Sequence, residues 1–132
     1  MNTYMACAGL KSCEYNVNKK LLEIHPVQRL LNAAFQMREF MDTVTYGLEG
    51  KPIKIKIGIN YGRVIAGVIG FHKPQFSLIG DTVNTTSRVC STGLVSRITI
   101  SDAAYVHVKR SEYHFAQRVV PVILAIISSE FS

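Results

Sequence analysis

Isoleucine occupies every second position from residue 53 to residue 59, and lysine stands between them at positions 54 and 56. Successive side chains of a strand point to opposite faces, so this spacing places the isoleucines on one face and the lysines on the other. Residues 51–60 are therefore predicted to form a half-buried strand with a solvated lysine face. Such a strand needs a second layer of structure to cover its isoleucine face.

A long amphipathic helix is predicted over residues 26–45 to supply that layer. Its apolar residues recur at intervals of three and four, the spacing of one buried helix face. Gly47 and Gly50 follow and are expected to end the helix and turn the chain. The predicted buried face consists of Val27, Leu30, Leu31, Ala34, Met37, Phe40 and Met41.

The order of the predicted elements favours an α+β fold. Strands are predicted over residues 3–10, 51–60, 64–69, 76–79, 97–100 and 114–120, and helices over 26–45, 81–90 and 101–108. This order suits a ferredoxin-like, mainly antiparallel sheet with the helices packed on one face. Residues 1–118 are assigned to this domain and residues 119–132 to an atypical apolar C-terminal tail, which is shorter than the roughly 20 apolar residues of a membrane helix.

The segment over residues 80–88 is predicted to be a strand end, a tight turn and a helix start. Gly80 frees the backbone, and the Asp81 carboxylate is expected to cap the helix. Asn84 and Arg88 lie four residues apart, so they share one helix face close to the positive end of the helix dipole. An amide beside a guanidinium suits a sugar hydroxyl and a phosphate, although an ordinary polar surface helix would carry the same spacing.

Composition bounds the function only loosely. The chain has 132 residues, with 15 Lys and Arg against 9 Asp and Glu, and its net charge of +6 suits either an anionic partner or solubility alone. The three cysteines Cys7, Cys13 and Cys90 form no metal-binding pattern and indicate a reducing compartment. The four histidines are scattered, and three aspartates are too few for a self-sufficient two-metal site.

Several motifs in a fixed order give the chain a family resemblance. They lie at residues 57–62 (Ile-Gly-Ile-Asn-Tyr-Gly), 64–70, 72–76, 80–88 and 91–94. In this order and spacing they resemble the catalytic domain of the class III nucleotide cyclases, the adenylyl and guanylyl cyclases. The resemblance covers roughly residues 3–118 and implies the fold of that domain. The sequence of residues 75–81 resembles that of protist guanylyl cyclases more closely. This resemblance favours GTP slightly over ATP.

The resemblance also implies a division of labour between two domains arranged head to tail. One half of such an enzyme carries two metal-binding aspartates, and this chain resembles the other half. Asn84 matches the position that orients the ribose, Arg88 the position that stabilises the transition state, and Ser77 a position that contacts the purine base. Asn2 stands where a metal-binding aspartate would be, so Mg²⁺ or Mn²⁺ is expected on the partner half and no metal ligand is assigned to this chain.

The expected function is therefore half of a purine nucleotide cyclase, in the cytoplasmic part of a larger membrane-bound protein. The second metal aspartate and the base-selecting residue would precede residue 1, so the chain is interpreted as a fragment that is inactive without a partner half. The alternative is a silent dimerisation or regulatory module. A nucleic-acid-binding role is not expected, because the strands alternate isoleucine and lack the aromatic residues of RNA-binding sheets.

Overall fold

The computed structural model describes residues 3–10, 14, 16–108 and 114–118, and these residues contain helices and short strands. The helices are α1 (Lys19–Leu22), α2 (Pro26–Met41), α3 (Asp81–Ser91) and α4 (Asp102–Tyr105). The strands are β1 (Thr45–Tyr46), β2 (Lys51–Pro52), β3 (Ile57–Ile59), β4 (Ile65–Ile69), β5 (Gln75–Ile79) and β6 (Ile98–Ile100).

The strands pair in three ladders. Strands β1 and β2 are antiparallel, and β4 and β5 form an antiparallel hairpin in which Ser77 lies opposite Gly67. Strands β3 and β6 run parallel, with Ile57 opposite Ile98 and Ile59 opposite Ile100. The α+β class and the predominance of antiparallel pairing are confirmed, and the parallel ladder follows from the crossover through β4, β5 and α3 that separates β3 from β6.

The core lies between α2 and the isoleucine face of the β3–β6 ladder. Leu31 is 1% exposed and Ile59 is 5% exposed, as the predicted amphipathic faces require. Burial of one leucine of this kind is worth about 1.5–3 kcal/mol. The buried apolar side chains are Val27, Leu31, Ala34, Ile59, Ala104 and Val108.

The predicted alternation of residues 53–59 is confirmed in burial. Ile53, Ile55 and Ile57 are half-buried, whereas Lys54 and Lys56 are exposed. The prediction of one continuous strand over residues 51–60 is wrong, because the hydrogen-bonding neighbour changes along the segment. The Ile53 amide donates to the Val44 carbonyl beside β1, while the Ile55 carbonyl accepts from the Ser96 amide ahead of β6.

Helix α3 approaches the β3–β6 ladder from the side opposite α2. A Cβ added at Gly58 would lie 2.4 Å from the Cys90 backbone nitrogen, and a Cβ at Gly93 would lie 2.6 Å from the Thr99 hydroxyl oxygen. Gly58 and Thr99 are paired and alternate with the isoleucines that face α2. At this ladder the glycine thus leaves room for α3 on the second face of the strands.

Other element boundaries also differ from the predictions. Helix α2 ends at Met41 and not at the predicted residue 45. Just after this end, the Thr43 hydroxyl donates to the Phe40 carbonyl. Its buried residues lie in the first three turns, and Met37 and Phe40 are 48% and 61% exposed. Helix α4 is a single turn.

The predicted strand over residues 3–10 is wrong, and residues 114–118 are not in a strand either. A strand is stabilised by hydrogen bonds to a neighbour, and the described part of the chain supplies no ladder for either segment. Asn2, Cys13 and the predicted tail at residues 119–132 lie outside the described residues. Within the described residues, no helix has the length and apolar character needed to cross a membrane.

Two stacked histidine rings lie at the N-terminal end of α2. The His25 Nδ1 atom accepts a hydrogen bond of 3.2 Å from the Val27 amide and so caps the helix. The His25 ring lies parallel to the His107 ring at 4.2 Å, and the Tyr61 ring packs against both at a tilt of 54° and 55°. Burial lowers the pKa of His25, and the nearby charges of His107 and Arg29 lower it further.

The free energy of unfolding should therefore decrease as the pH falls below about 6.5, the ordinary pKa of histidine. The unfolded chain then binds a proton that folded His25 refuses, so acid favours unfolding. Protonation of Nδ1 also removes the acceptor of the helix cap. His25→Asn keeps a capping oxygen but cannot titrate, so urea titrations from pH 7 to pH 5 should show a shallower decline for it.

Glu14 does not interfere in this range. The Gly9 amide and Arg29 lower the pKa of its carboxyl group from 4.5, so its ion pair with Arg29 is lost only at more acidic pH. A decline of equal slope in His25→Asn would contradict the assignment.

Candidate functional site

Helix α3 begins at Asp81, the first residue predicted for it, and its cap is Gly80. Gly80 has φ 131° and ψ 171°, a conformation that residues with a Cβ rarely adopt, and its carbonyl accepts from the Val83 amide at 3.1 Å. Asp81 is the first helical residue and its side chain makes no capping hydrogen bond. The prediction that Asp81 is the cap is therefore wrong, but its carboxylate still lies in the first turn, where the helix dipole favours negative charge.

One face of α3 lines an open depression of about 280 Å³. The lining residues are Asn84, Ser87, Arg88 and Ser91. Their spacing of three and four is that of a single helix face. Asn84 is exposed and Arg88 is half-buried, so the structure places the predicted amide and guanidinium on one accessible surface. Among the described residues a single helix lines it, so this surface is an open depression and not a closed pocket.

Ser77 is not brought to this depression. It lies in the middle of β5, half-buried, opposite Gly67 of β4. Strand β5 leads through Gly80 into α3, so Ser77 is connected to the depression by the strand–turn–helix unit. The lining of the depression does not include it.

Two cations secure the C-terminal end of α3. The Arg118 Nη1 atom donates to the Thr92 carbonyl at 2.9 Å, and the Lys56 Nζ atom donates to the Ser91 carbonyl at 3.4 Å. Cations at this end compensate the helix dipole and satisfy carbonyls that have no helical partner. The sequence predicted a merely solvated Lys56 and gave no role to Arg118, since neither contact is local in the chain.

The donor set of the depression does not fit a divalent cation. In the described part of the chain it consists of one guanidinium, one amide and two hydroxyls, whereas Mg²⁺ takes anionic oxygen ligands. Asp42, Asp81 and Asp102 lie on three separate elements. Among the described residues, no group of three acidic, histidine or cysteine side chains could hold a metal ion. The chemistry available here is therefore the binding of anionic and hydroxylated groups.

The β4–β5 hairpin presents a second incomplete surface. Ile65 and Ile69 are 69% and 48% exposed on one face of β4, and Ile79, opposite Ile65 on β5, is 44% exposed. Grouped apolar side chains of this kind on a soluble protein mark interaction surfaces more often than isolated exposed residues do.

Comparison with known proteins relates this geometry to one family. Residues 2–123 match the family model of the adenylate and guanylate cyclase catalytic domain. The chain is 38% identical over 119 residues to human guanylyl cyclase C, and the aligned region covers 89% of this chain and 10% of that protein. It is 56% identical over 57 residues to guanylate cyclase alpha of Plasmodium falciparum, and this aligned region covers 43% of this chain and 1% of that protein.

A solved structure shares the fold. The guanylate cyclase domain of RhGC from Catenaria anguillulae, solved in complex with GTP, is 41% identical with a TM-score of 0.58. The similarity covers 62% of this chain and 44% of that domain. The chain thus spans a tenth or less of these two relatives and under half of the solved domain.

Proposed function

The chain belongs to the adenylate and guanylate cyclase catalytic-domain family, and on that premise we propose that it is one half of a purine nucleotide cyclase. The complete enzyme would convert GTP, or ATP, into a 3′,5′-cyclic nucleotide and pyrophosphate. The 3′-hydroxyl of the ribose would form a bond to the α-phosphorus as the bond to pyrophosphate breaks. The observation that carries the proposal is the common face of Asn84 and Arg88 on α3.

The two side chains divide the work by their chemistry. The Asn84 amide can donate and accept hydrogen bonds, so it would hold the ribose with its hydroxyl directed at phosphorus. The Arg88 guanidinium would stabilise the negative charge that grows on the α-phosphoryl oxygens. Ser77 is proposed to contact the base, and its hydroxyl tolerates either purine.

The metal ions are proposed to come from the partner half. Mg²⁺ or Mn²⁺ supplies charge neutralisation and activation of the attacking hydroxyl in this class of reaction. The cationic depression on α3 lacks suitable ligands, so the carboxylates must lie across the cleft. The apolar hairpin residues Ile65, Ile69 and Ile79 share one face and are the proposed contact surface for that second cyclase domain.

GTP is proposed over ATP as the substrate. The relatives described above are guanylate cyclases, and the solved domain from Catenaria anguillulae holds GTP. The cytoplasmic, membrane-attached setting expected from the family resemblance remains a prediction.

Cyclase activity should appear only when this chain is combined with a half that carries both metal aspartates. Each half alone would lack either the carboxylates or the Asn84–Arg88 face, so neither should form cyclic GMP above background. The assay is cyclic nucleotide formation from GTP and from ATP, with Mg²⁺ or Mn²⁺, for each half and for the mixture. Activity of this chain alone, or no activity of a mixture shown to dimerise, would contradict the proposal.

Nucleotide binding separates the proposed half-enzyme from a silent dimerisation module. A GTP analogue that cannot be cyclised should raise the melting temperature of the mixed dimer, because a ligand stabilises the state that binds it. Arg88→Ala should leave most of this increase, because the charge that Arg88 meets arises mainly in the transition state. A dimer that forms but gains no stability from GTP or ATP analogues would favour the silent module.

A further inference from the structure

Asn60 joins the start of α3 to the rest of the fold. It follows β3 directly and is half-buried. Its Nδ2 atom donates to the Thr82 carbonyl in the first turn of α3 at 3.3 Å. Its Oδ1 atom accepts from the Ser101 hydroxyl at 2.7 Å. One amide therefore bridges β3, α3 and the residue that precedes α4.

The partners determine which way the Asn60 amide points. The Thr82 carbonyl can only accept, so it must face the amide nitrogen. The Ser101 oxygen accepts from the Ala104 amide at 3.2 Å while it caps α4, and its own proton is then directed to the Asn60 oxygen. The reverse orientation of the amide would place two oxygens in contact at Thr82. The bridge is thus specific for an amide and not for any polar side chain.

Close packing beside the bridge limits other ways of holding α3. A Cβ added at Gly62 would lie 2.5 Å from the Thr82 hydroxyl oxygen, so the loop after Asn60 lies directly against the first turn of the helix. Thr82 is two residues before Asn84, on the same helical turn. A rotation of this turn would move the Asn84 amide away from its position beside Arg88.

From this geometry we infer that Asn60 is a positioning residue, which sets the orientation of the substrate-facing side of α3 through the Thr82 carbonyl. The inference deepens the proposed function and rests on it where turnover is concerned. Asn60 touches no substrate group in this arrangement. Its effect should therefore fall on the turnover number and leave the affinity for nucleotide largely unchanged.

The test combines a local structural measurement with kinetics. Amide hydrogen exchange of the chain should be about fivefold faster in the first two turns of α3 for Asn60→Ala, the factor expected for the loss of one hydrogen bond. In the mixed dimer, Asn60→Ala and Asn60→Asp should lower kcat about 10- to 100-fold, as misplaced reacting groups do. KM for GTP should change less than about threefold, because Asn60 touches no substrate group and so contributes no direct binding.

Matched variants separate positioning from general destabilisation. Asn60→Asp keeps the acceptor for Ser101 but places a carboxylate oxygen at the Thr82 carbonyl, so it should be no better than Asn60→Ala. Ser101→Thr keeps the hydroxyl and should retain near-normal kcat. Ser101→Gly removes the hydroxyl and should lower kcat. Asn32→Ala removes an amide that accepts from Gln28 on α2, and it should leave exchange in α3 and kcat unchanged.

Two results would overturn the inference. One is exchange in α3 that responds no more to Asn60→Ala than to Asn32→Ala. The other is an unchanged kcat for the Asn60→Ala mixed dimer when the separate Arg88→Ala mixed dimer is inactive. Failure of the proposed function would look different, since Arg88→Ala would then leave turnover unchanged while the exchange data still decide whether Asn60 orients the helix.

Discussion

Replacing Arg88 with alanine in the mixed dimer should lower the turnover number about a thousandfold, equivalent to about 3–4 kcal/mol of transition-state stabilisation. The guanidinium is half-buried on the wall of the depression, where its charge is less screened than on an open surface. It would meet charge that exists mainly in the transition state. KM for GTP should accordingly change far less than kcat, as measured by steady-state cyclic GMP formation.

Two variants sharpen the Arg88 experiment. Arg88→Lys keeps the charge but loses the planar pair of donors, so it should restore only part of the rate. Arg97→Ala removes an exposed arginine that precedes β6 and does not line the depression, and it should leave kcat unchanged. Wild-type turnover in Arg88→Ala, or an equal loss in Arg97→Ala, would remove the basis of the proposed function.

Local periodicity explains why α2 and α3 were the most predictable part of the fold. The three-and-four spacing in α2 required a buried face, and Val27, Leu31 and Ala34 form it. The four-residue spacing of Asn84 and Arg88 was sufficient to place both on one face of α3. These features depend on residues within one or two turns of each other, and the sequence contains that information directly.

The strands were less predictable because their extent depends on distant partners. The isoleucine alternation correctly identified the buried face of residues 53–59, but it could not show that the neighbour changes from β1 to β6. The same reason applies to residues 3–10, whose composition suits a strand but which have no ladder among the described residues. Cap identity failed on a smaller scale, since the positive φ of Gly80 decides where α3 begins.

The supports of the site were missed for a related reason. Asn60, Lys56 and Arg118 contact α3 across separations of 22 to 35 residues. Each binds a backbone carbonyl, and a carbonyl leaves no mark on the sequence at the accepting position. The side chains proposed to meet the substrate are therefore readable from the sequence, whereas the contacts that hold their helix become visible only in the fold.

The largest stability effect is expected for Gly58→Ala. The Cys90 nitrogen and Cα of α3 lie 2.4 and 2.5 Å from the position of the new Cβ, distances that no side-chain rotation can relieve because both atoms belong to the backbone. Overpacking of this kind costs about 3 kcal/mol at the upper end of its usual range. The helix must move away from β3, and the Asn84–Arg88 face would move with it.

Gly67→Ala is the matched control for this experiment. Gly67 also lies inside a strand, its backbone is not in the left-handed region, and among the described residues no atom beyond its chain neighbours lies within 4 Å of a Cβ built on it. Alanine should therefore be neutral there or stabilise by up to about 1 kcal/mol, because it restricts the unfolded chain. Urea denaturation of the chain should place Gly58→Ala well below wild type and Gly67→Ala at or above it. Equal stability of the two variants would mean that α3 does not lie against Gly58, and the geometry proposed for the substrate-facing helix would then have to be abandoned.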